Sequence, residues 1–305
     1  MSRSSQPVAL VVGASRGIGR QVAIDLAKNG YRVVVAAKTI GDTPGPFPPD
    51  PNSQQSTITT VAREIREAGG EATAIQVDTR SPESIQNMVD STVERYGSLD
   101  VLIYNPGAIW WASVEKTPLK RFQLLQSVNV EGLYATVHAA FPHFERRGWK
   151  GRIIVVSPPI YSRFFRGKTA YAMGKVAMSV LVKGLAMDWK REGKEDMAIT
   201  AIWPAAAIQS AATPDSRMLP DLRKPTIFSD AIMEMLRAPT GEINGCLELD
   251  EDFLRKKGVT DFSKYSVVPG ANPRRMLPAV LPVLTVLEED EEVFHADSTK
   301  ARSNL

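Results

Sequence analysis

Tyr171 and Lys175, in the stretch AYAMGKVAMSVL at 170–181, stand four residues apart in a segment that otherwise looks like packed helix. Four helical residues climb about 6 Å, so the two side chains share one face and can act on one small molecule. A carbonyl becoming an alcohol needs a hydride on carbon and a proton on oxygen. A nicotinamide brings the first, and a side chain must give the second. A free tyrosine holds its proton with a pKa of about 10, and a nearby ammonium favours the phenolate. Lys175 is therefore expected to lower the Tyr171 pKa and to hold a cofactor ribose. Ser157, fourteen residues before Tyr171, closes the apolar run GRIIVVS, and as a strand-end hydroxyl it is expected to donate to the substrate oxygen.

Such groups need a frame. Short β-rich runs at 8–13, 31–37, 71–78, 99–105, 151–157 and 197–204 read as buried strands, with a last one at 243–249. Stretches at 17–29, 57–68, 82–96 and 118–147 carry apolar residues at helical spacing. This alternation predicts an α/β fold, a doubly wound parallel sheet of Rossmann type with helices on both faces. Directly after the first strand comes GASRGIGR, whose Gly13, Gly17 and Gly19 let the backbone approach a pyrophosphate at a helix amino terminus, with Ser15, Arg16 and Ile18 between them. The second strand ends in Lys38 with no carboxylate. Lys38 and Arg16 favour the extra phosphate of NADPH over the ribose hydroxyls of NADH. The Pro- and Gly-rich stretch 41–56 predicts a long surface loop.

The rest of the composition excludes several classes. A net charge of +3 beside 34 acidic residues gives no nucleic-acid signature, and 43% hydrophobic with 23% charged residues is ordinary for a globular chain. Cys246 is the sole cysteine, which points to a reducing compartment, and His138 and His143 lack the company of metal ligands. No apolar run reaches the length of about 18 residues that a membrane span requires, and the amino terminus lacks a signal-peptide core.

With Tyr171, Lys175, Ser157 and the glycine turn in the right order, residues 7 to about 255 resemble the short-chain dehydrogenase/reductase family. The resemblance implies that Asn129, in SVNVEG, completes a catalytic tetrad, and that Asp78 and Thr79 contact the adenine. It also implies that Asn105, Gly107, Pro204 and Ile208 line the cofactor. The chain departs from the family pattern at Tyr104-Asn105-Pro106-Gly107 and at Pro204-Ala205. AAKT, SPP and GCLELDEDFLRKKGV are more closely similar to the hydroxysteroid dehydrogenase-like branch, without its sterol-carrier domain. Residues 1–257 are expected to form the dehydrogenase domain and 258–305 a carboxyl-terminal extension. The family also implies a homodimer or homotetramer.

Aromatic and aliphatic residues crowd the loops that border such a site. Trp110, Trp111, Tyr161 and Phe165, with Ile160, Phe164 and Met218 nearby, predict a substrate that is a bulky cyclic or aryl ketone. Acyl-thioester reduction is the alternative substrate reading, and a non-catalytic NADP-binding sensor or scaffold is the alternative from another class. The terminal SNL is close to a peroxisomal address but lacks its cation, so a cytosolic location is expected, with the peroxisome as the alternative.

Overall fold

The computed structural model describes residues 6–42, 45–213 and 215–284. In chain order the elements are β1 (Val8–Val12), α1 (Gly17–Lys28), β2 (Arg32–Ala37), α2 (Ile58–Glu67), β3 (Glu71–Gln76), α3 (Pro82–Tyr96), β4 (Val101–Tyr104) and α4 (Leu119–Gln126). They continue with α5 (Gly132–Arg146), β5 (Gly151–Val156), α6 (Thr169–Arg191), β6 (Met197–Trp203), β7 (Ala207–Ile208), β8 (Leu222–Arg223), α7 (Thr226–Arg237), α8 (Thr240–Ile243), β9 (Leu247–Leu249) and α9 (Asp250–Lys256). Among the described residues, seven strands form one parallel sheet in the order β3-β2-β1-β4-β5-β6-β9.

The strands read as near-continuous apolar runs because both faces of the sheet are covered. Val33 and Val35 join Ala9, Val11, Ile103 and Ile154 in the core facing α1, α2 and α7. Their neighbours Val34, Val8, Leu10, Leu102 and Ile153 point the other way, into the core built with α3, α5 and α6. One-residue alternation along each strand thus feeds two cores. Local signals set the helix starts: Thr57 and Thr60 form a reciprocal capping box at α2, and the Ser81 side chain caps α3 ahead of Pro82.

Three expectations change. The helical stretch at 118–147 is broken by a π-helical turn, Ser127–Glu131, between α4 and α5. Of 243–249 only Leu247–Leu249 is strand; Ile243 ends α8 and is fully buried. And α6 is, among the described residues, the one helix long and apolar enough to cross a membrane, although half of its most apolar window is buried inside the protein. It is apolar because it packs against β5 and β6 while also showing an uncovered face.

Beyond α9 the chain runs back over the body. Phe262 and Tyr265 bury against the α1–α7 side, and Leu277 reaches the carboxyl end of β6. The acidic run at 288–292 and the terminal SNL lie outside the described residues.

Candidate active site

β1 lies between β2 and β4, so the loops leaving it part in opposite directions and open a crevice beyond the strand ends. The glycine turn forms its floor. Gly13 has φ +78°, and a Cβ there would lie 2.8 Å from the Pro106 nitrogen; one on Gly19 would lie 2.3 Å from the Gly13 carbonyl oxygen. Only glycine permits this approach of backbone to backbone. The Asn105 side-chain amide donates to the Gly13 carbonyl (2.9 Å), tying the end of β4 to the turn. Ser15 is buried, and its carbonyl accepts from the Ser56 hydroxyl (2.6 Å). The Gly17 N–H donates to the Pro51 carbonyl (3.1 Å), so the end of the 41–56 loop lies across the turn. Ile18 and Ile208 pack into the α1-side core, and Pro204 follows β6.

Beside the turn, a cavity of about 350 Å³ is lined by Gly13, Lys38, Asp78, Thr79, Arg80 and Gly107, among others. Lys38 is not free there: its ammonium lies 3.3 Å from the Asp78 carboxylate, which also accepts from Arg80 Nε (2.9 Å). The Arg80 guanidinium holds the Asp78 carboxyl well below the usual carboxylate range. Arg16 donates to the Thr39 hydroxyl (3.3 Å). Sequence reading named Lys38, Asp78 and Arg16 and missed Arg80, two residues after Asp78. The cradle of glycines and the flanking cavity fit a dinucleotide. The residues placed to hold one are Gly13, Gly19, Thr79 and Gly107, with Lys38, Arg16 and Arg80 at the adenosine end.

At the other end of the crevice α6 brings Tyr171 and Lys175 together as expected. Lys175 is 3% exposed and donates to the Val156 carbonyl at the end of β5 (2.9 Å). A Cβ on Gly107 would lie 3.2 Å from its Nζ. Burial pushes the Lys175 ammonium down to about 7 and pushes the Tyr171 phenol up. In place of the expected lowering by its lysine, desolvation sets the direction of the Tyr171 shift in this site. The Tyr171 hydroxyl has no hydrogen bond to the described protein residues, which leaves it for a ligand.

Asn129 sits in the π turn, fully buried, and its amide grips Ala108 from both sides: Oδ1 accepts from the Ala108 N–H (2.9 Å) and Nδ2 donates to the Ala108 carbonyl (3.2 Å). The widened turn lets a helical side chain hold the loop after β4. Ser157 is at the strand end but faces inward. It is fully buried, and its hydroxyl is hydrogen-bonded to that of Ser179 (2.9 Å), which also donates to the Pro158 carbonyl (2.7 Å). In place of the open donor expected, the serine is a tie between β5 and α6. Helical period exposes the partner in retrospect: Tyr171, Lys175 and Ser179 are i, i+4 and i+8.

Around Tyr171 lies an aromatic cluster. Phe164 is 6.2 Å from it by ring centroids and Trp111 6.3 Å, while Trp110 and Tyr161 pack against the same group. Phe164, 4% exposed, takes the inward place expected of Phe165, which is 37% exposed. The 3-10 turn Ser162–Phe164 sends successive side chains about 120° apart, so adjacent residues do not both face in. Three contributors went unread in the sequence: Trp203, edge-on to Phe164 at 5.9 Å, with Phe122 and Leu125 of α4. The strand-end rule that singled out Ser157 applies equally to Trp203, the last residue of β6. Among the described residues no cluster of His, Cys, Asp and Glu could hold a metal ion.

Known proteins resemble this chain in sequence and fold. The profile described as short chain dehydrogenase matches residues 7–44 and 51–217. Hydroxysteroid dehydrogenase-like protein 2 of Danio rerio is 37% identical over 85% of this chain and 60% of its own length, and that of Homo sapiens 33% identical over the same shares. The chain thus spans about three fifths of the length of these curated relatives. A short-chain dehydrogenase from Mycobacterium thermoresistibile superposes with a TM-score of 0.77 at 33% identity, covering 88% of this chain and 93% of that one. The parallel sheet, the glycine turn at its switch point and the tyrosine and lysine on α6 coincide with a profile that covers most of the described residues, so the chain belongs to the short-chain dehydrogenase family of nicotinamide-dependent oxidoreductases.

Proposed function

We propose that the chain is an NADPH-dependent carbonyl reductase that converts a bulky apolar ketone, cyclic or aryl, to its alcohol. The observation that carries this reading is the Tyr171 hydroxyl, without a hydrogen-bond partner among the described residues and set in an aromatic cluster one helical turn from Lys175. When bound, the reduced nicotinamide supplies the hydride. Tyr171 gives its proton to the carbonyl oxygen as that oxygen gains charge, and burial, by raising the phenol's pKa, keeps the proton in place until then. Lys175, poised near neutrality, exchanges protons readily and favours the transient phenolate when charged. The aromatic walls exclude water from the reacting oxygen. Asn129 fixes the Ala108 backbone that borders the site.

Lys38, Arg16 and Arg80 at the adenosine end, with no carboxylate closing β2, support NADPH over NADH. Asp78 pairs with Lys38 and Arg80, and a phosphate would compete with it for both. Exposed Arg163 and Arg166, next to Phe164, favour the second reading, an acyl group on a phosphorylated carrier. The uncovered face of α6 supports a homo-oligomer.

NADPH consumption against ketones graded by size, with and without Tyr171→Phe, tests the reading. The variant should lose reduction by at least about a hundredfold while binding NADPH as before, since general acid catalysis by a placed group gives roughly 10²–10⁴ in rate. Turnover near that of the unchanged protein would overturn the mechanism, and faster reduction of linear ketones or acyl thioesters would overturn the substrate class.

A further inference from the structure

The segment after α9 does not end at the back of the molecule. Arg275 forms an antiparallel bridge with Ala206, and the Met276 N–H donates to the Ala205 carbonyl (2.8 Å), immediately beyond β6. From the opposite side, Asp250 Oδ1 accepts from the Ala205 N–H (2.8 Å). Ala205 is thus held by both its backbone groups. The Arg275 guanidinium locks the segment, donating to both carboxylate oxygens of Asp252 and, through Nε, to the Leu277 carbonyl (2.8 Å). A bidentate arginine fixes orientation as well as position.

This placement has a consequence for the site. Leu277 is 6% exposed and packs with Ala205 and Leu249, while Tyr161, Trp203 and the partly buried Leu281 cover the same cluster. Tyr161 and Trp203 also belong to the group around Tyr171 and Phe164. Trp203 lies edge-on to Phe164, and Lys175 Nζ is 5.5 Å from its ring centroid. The two clusters therefore share a wall of two rings, catalytic side chains in front and leucines behind. A ring can yield to a ligand only as far as its backing allows, because packed side chains transmit volume changes.

We propose that Leu277 and Leu281 are specificity-determining residues: they back Tyr161 and Trp203, so that the carboxyl-terminal segment sets the fit of a bulky ketone in the site. The proposal rests on the reductase reading, and its test separates the two. The full chain with NADPH is given 2-decalone or 2-butanone, and Leu277→Ala and Leu281→Ala are compared with the unchanged protein. The ratio of kcat/KM for 2-decalone over 2-butanone should fall about tenfold, through KM, as expected for lost apolar contact in a pocket. Leu281, partly exposed, tolerates truncation more readily than buried Leu277 and keeps the comparison available if the latter variant fails to fold. An unchanged ratio, with both substrates affected alike or not at all, overturns the proposal. Binding of 2-decalone is measured in parallel by calorimetry. If the unchanged protein binds it without reducing it, the reductase reading fails, and the leucines are judged by whether Leu281→Ala weakens that binding about tenfold. If it binds neither ketone, both fall.

Discussion

At the scale of single residues, burial decides what each ionisable group can do. Asp250 is fully buried, its Oδ2 has no hydrogen-bond partner among the described residues, and burial pushes its carboxyl up to about 7. The folded chain therefore holds this proton more tightly than the unfolded chain, whose carboxyl titrates near 4. Stability should fall as pH rises from about 4 through 7. Lys175 behaves oppositely: lowered to about 7 from an unfolded value near 10.5, it should add stability as pH rises between those values. Asp250→Asn keeps an acceptor for the Ala205 and Glu251 amides, so urea unfolding across pH should show the fall between 4 and 7 flattened and the limb above 7 retained. Ser157 makes a second case. If its hydroxyl ties β5 to α6, Ser157→Ala should cost about 1–2 kcal/mol of stability and lower kcat less than tenfold. A loss of a hundredfold or more in kcat would instead return the serine to the substrate oxygen.

Elements act by what their ends present. The end of β2 offers Lys38, 67% exposed at its side chain and paired with Asp78. Such a pair is worth at most about 1 kcal/mol, so a doubly charged phosphate would compete well with the carboxylate for Lys38. Lys38→Asp should therefore lower the NADPH-to-NADH ratio of kcat/KM by about tenfold or more. Equal use of the two cofactors by the unchanged protein would remove the assignment. The π turn before α5 shows the same logic within a helix. One wider turn delivers Asn129 to the Ala108 backbone, and regular α-helix at this point would carry the side chain elsewhere.

For the whole molecule, the uncovered face of α6 matters most. Met173, Val180 and Met187, at seven-residue steps, are 53%, 57% and 46% exposed, and Tyr134 of α5 is 63% exposed. Apolar surface arranged in this way supports the proposed contact between chains. The same exposure explains how α6 can meet the length and apolarity of a membrane span while half buried: one face packs on the sheet and the other suits a second copy. Val180→Glu should convert an oligomer to monomer in size-exclusion chromatography with light scattering, and an unchanged mass would place the contact elsewhere.

Three features were legible in the sequence because each depends on local chemistry. Strands covered on both faces must be continuously apolar, so 32–37 and 151–156 announce themselves. Where a Cβ would fall within 3 Å of another stretch of backbone, only glycine fits, as at 13 and 19. A helix brings residues four apart to one face, so Tyr171 and Lys175 belong together whatever surrounds them. Other features were decided only by packing between distant segments. Ser157 turns inward because Ser179 meets it there; Phe164 rather than Phe165 faces Tyr171 because Trp203 lies edge-on to it; Lys38, after β2, finds Asp78, after the neighbouring β3. Leu277 reaches the back of the site from more than seventy residues beyond β6 through a backbone bridge that its own residue types do not encode. Spacing along a chain fixes the face of an element, whereas the partner that meets that face is set by long-range packing.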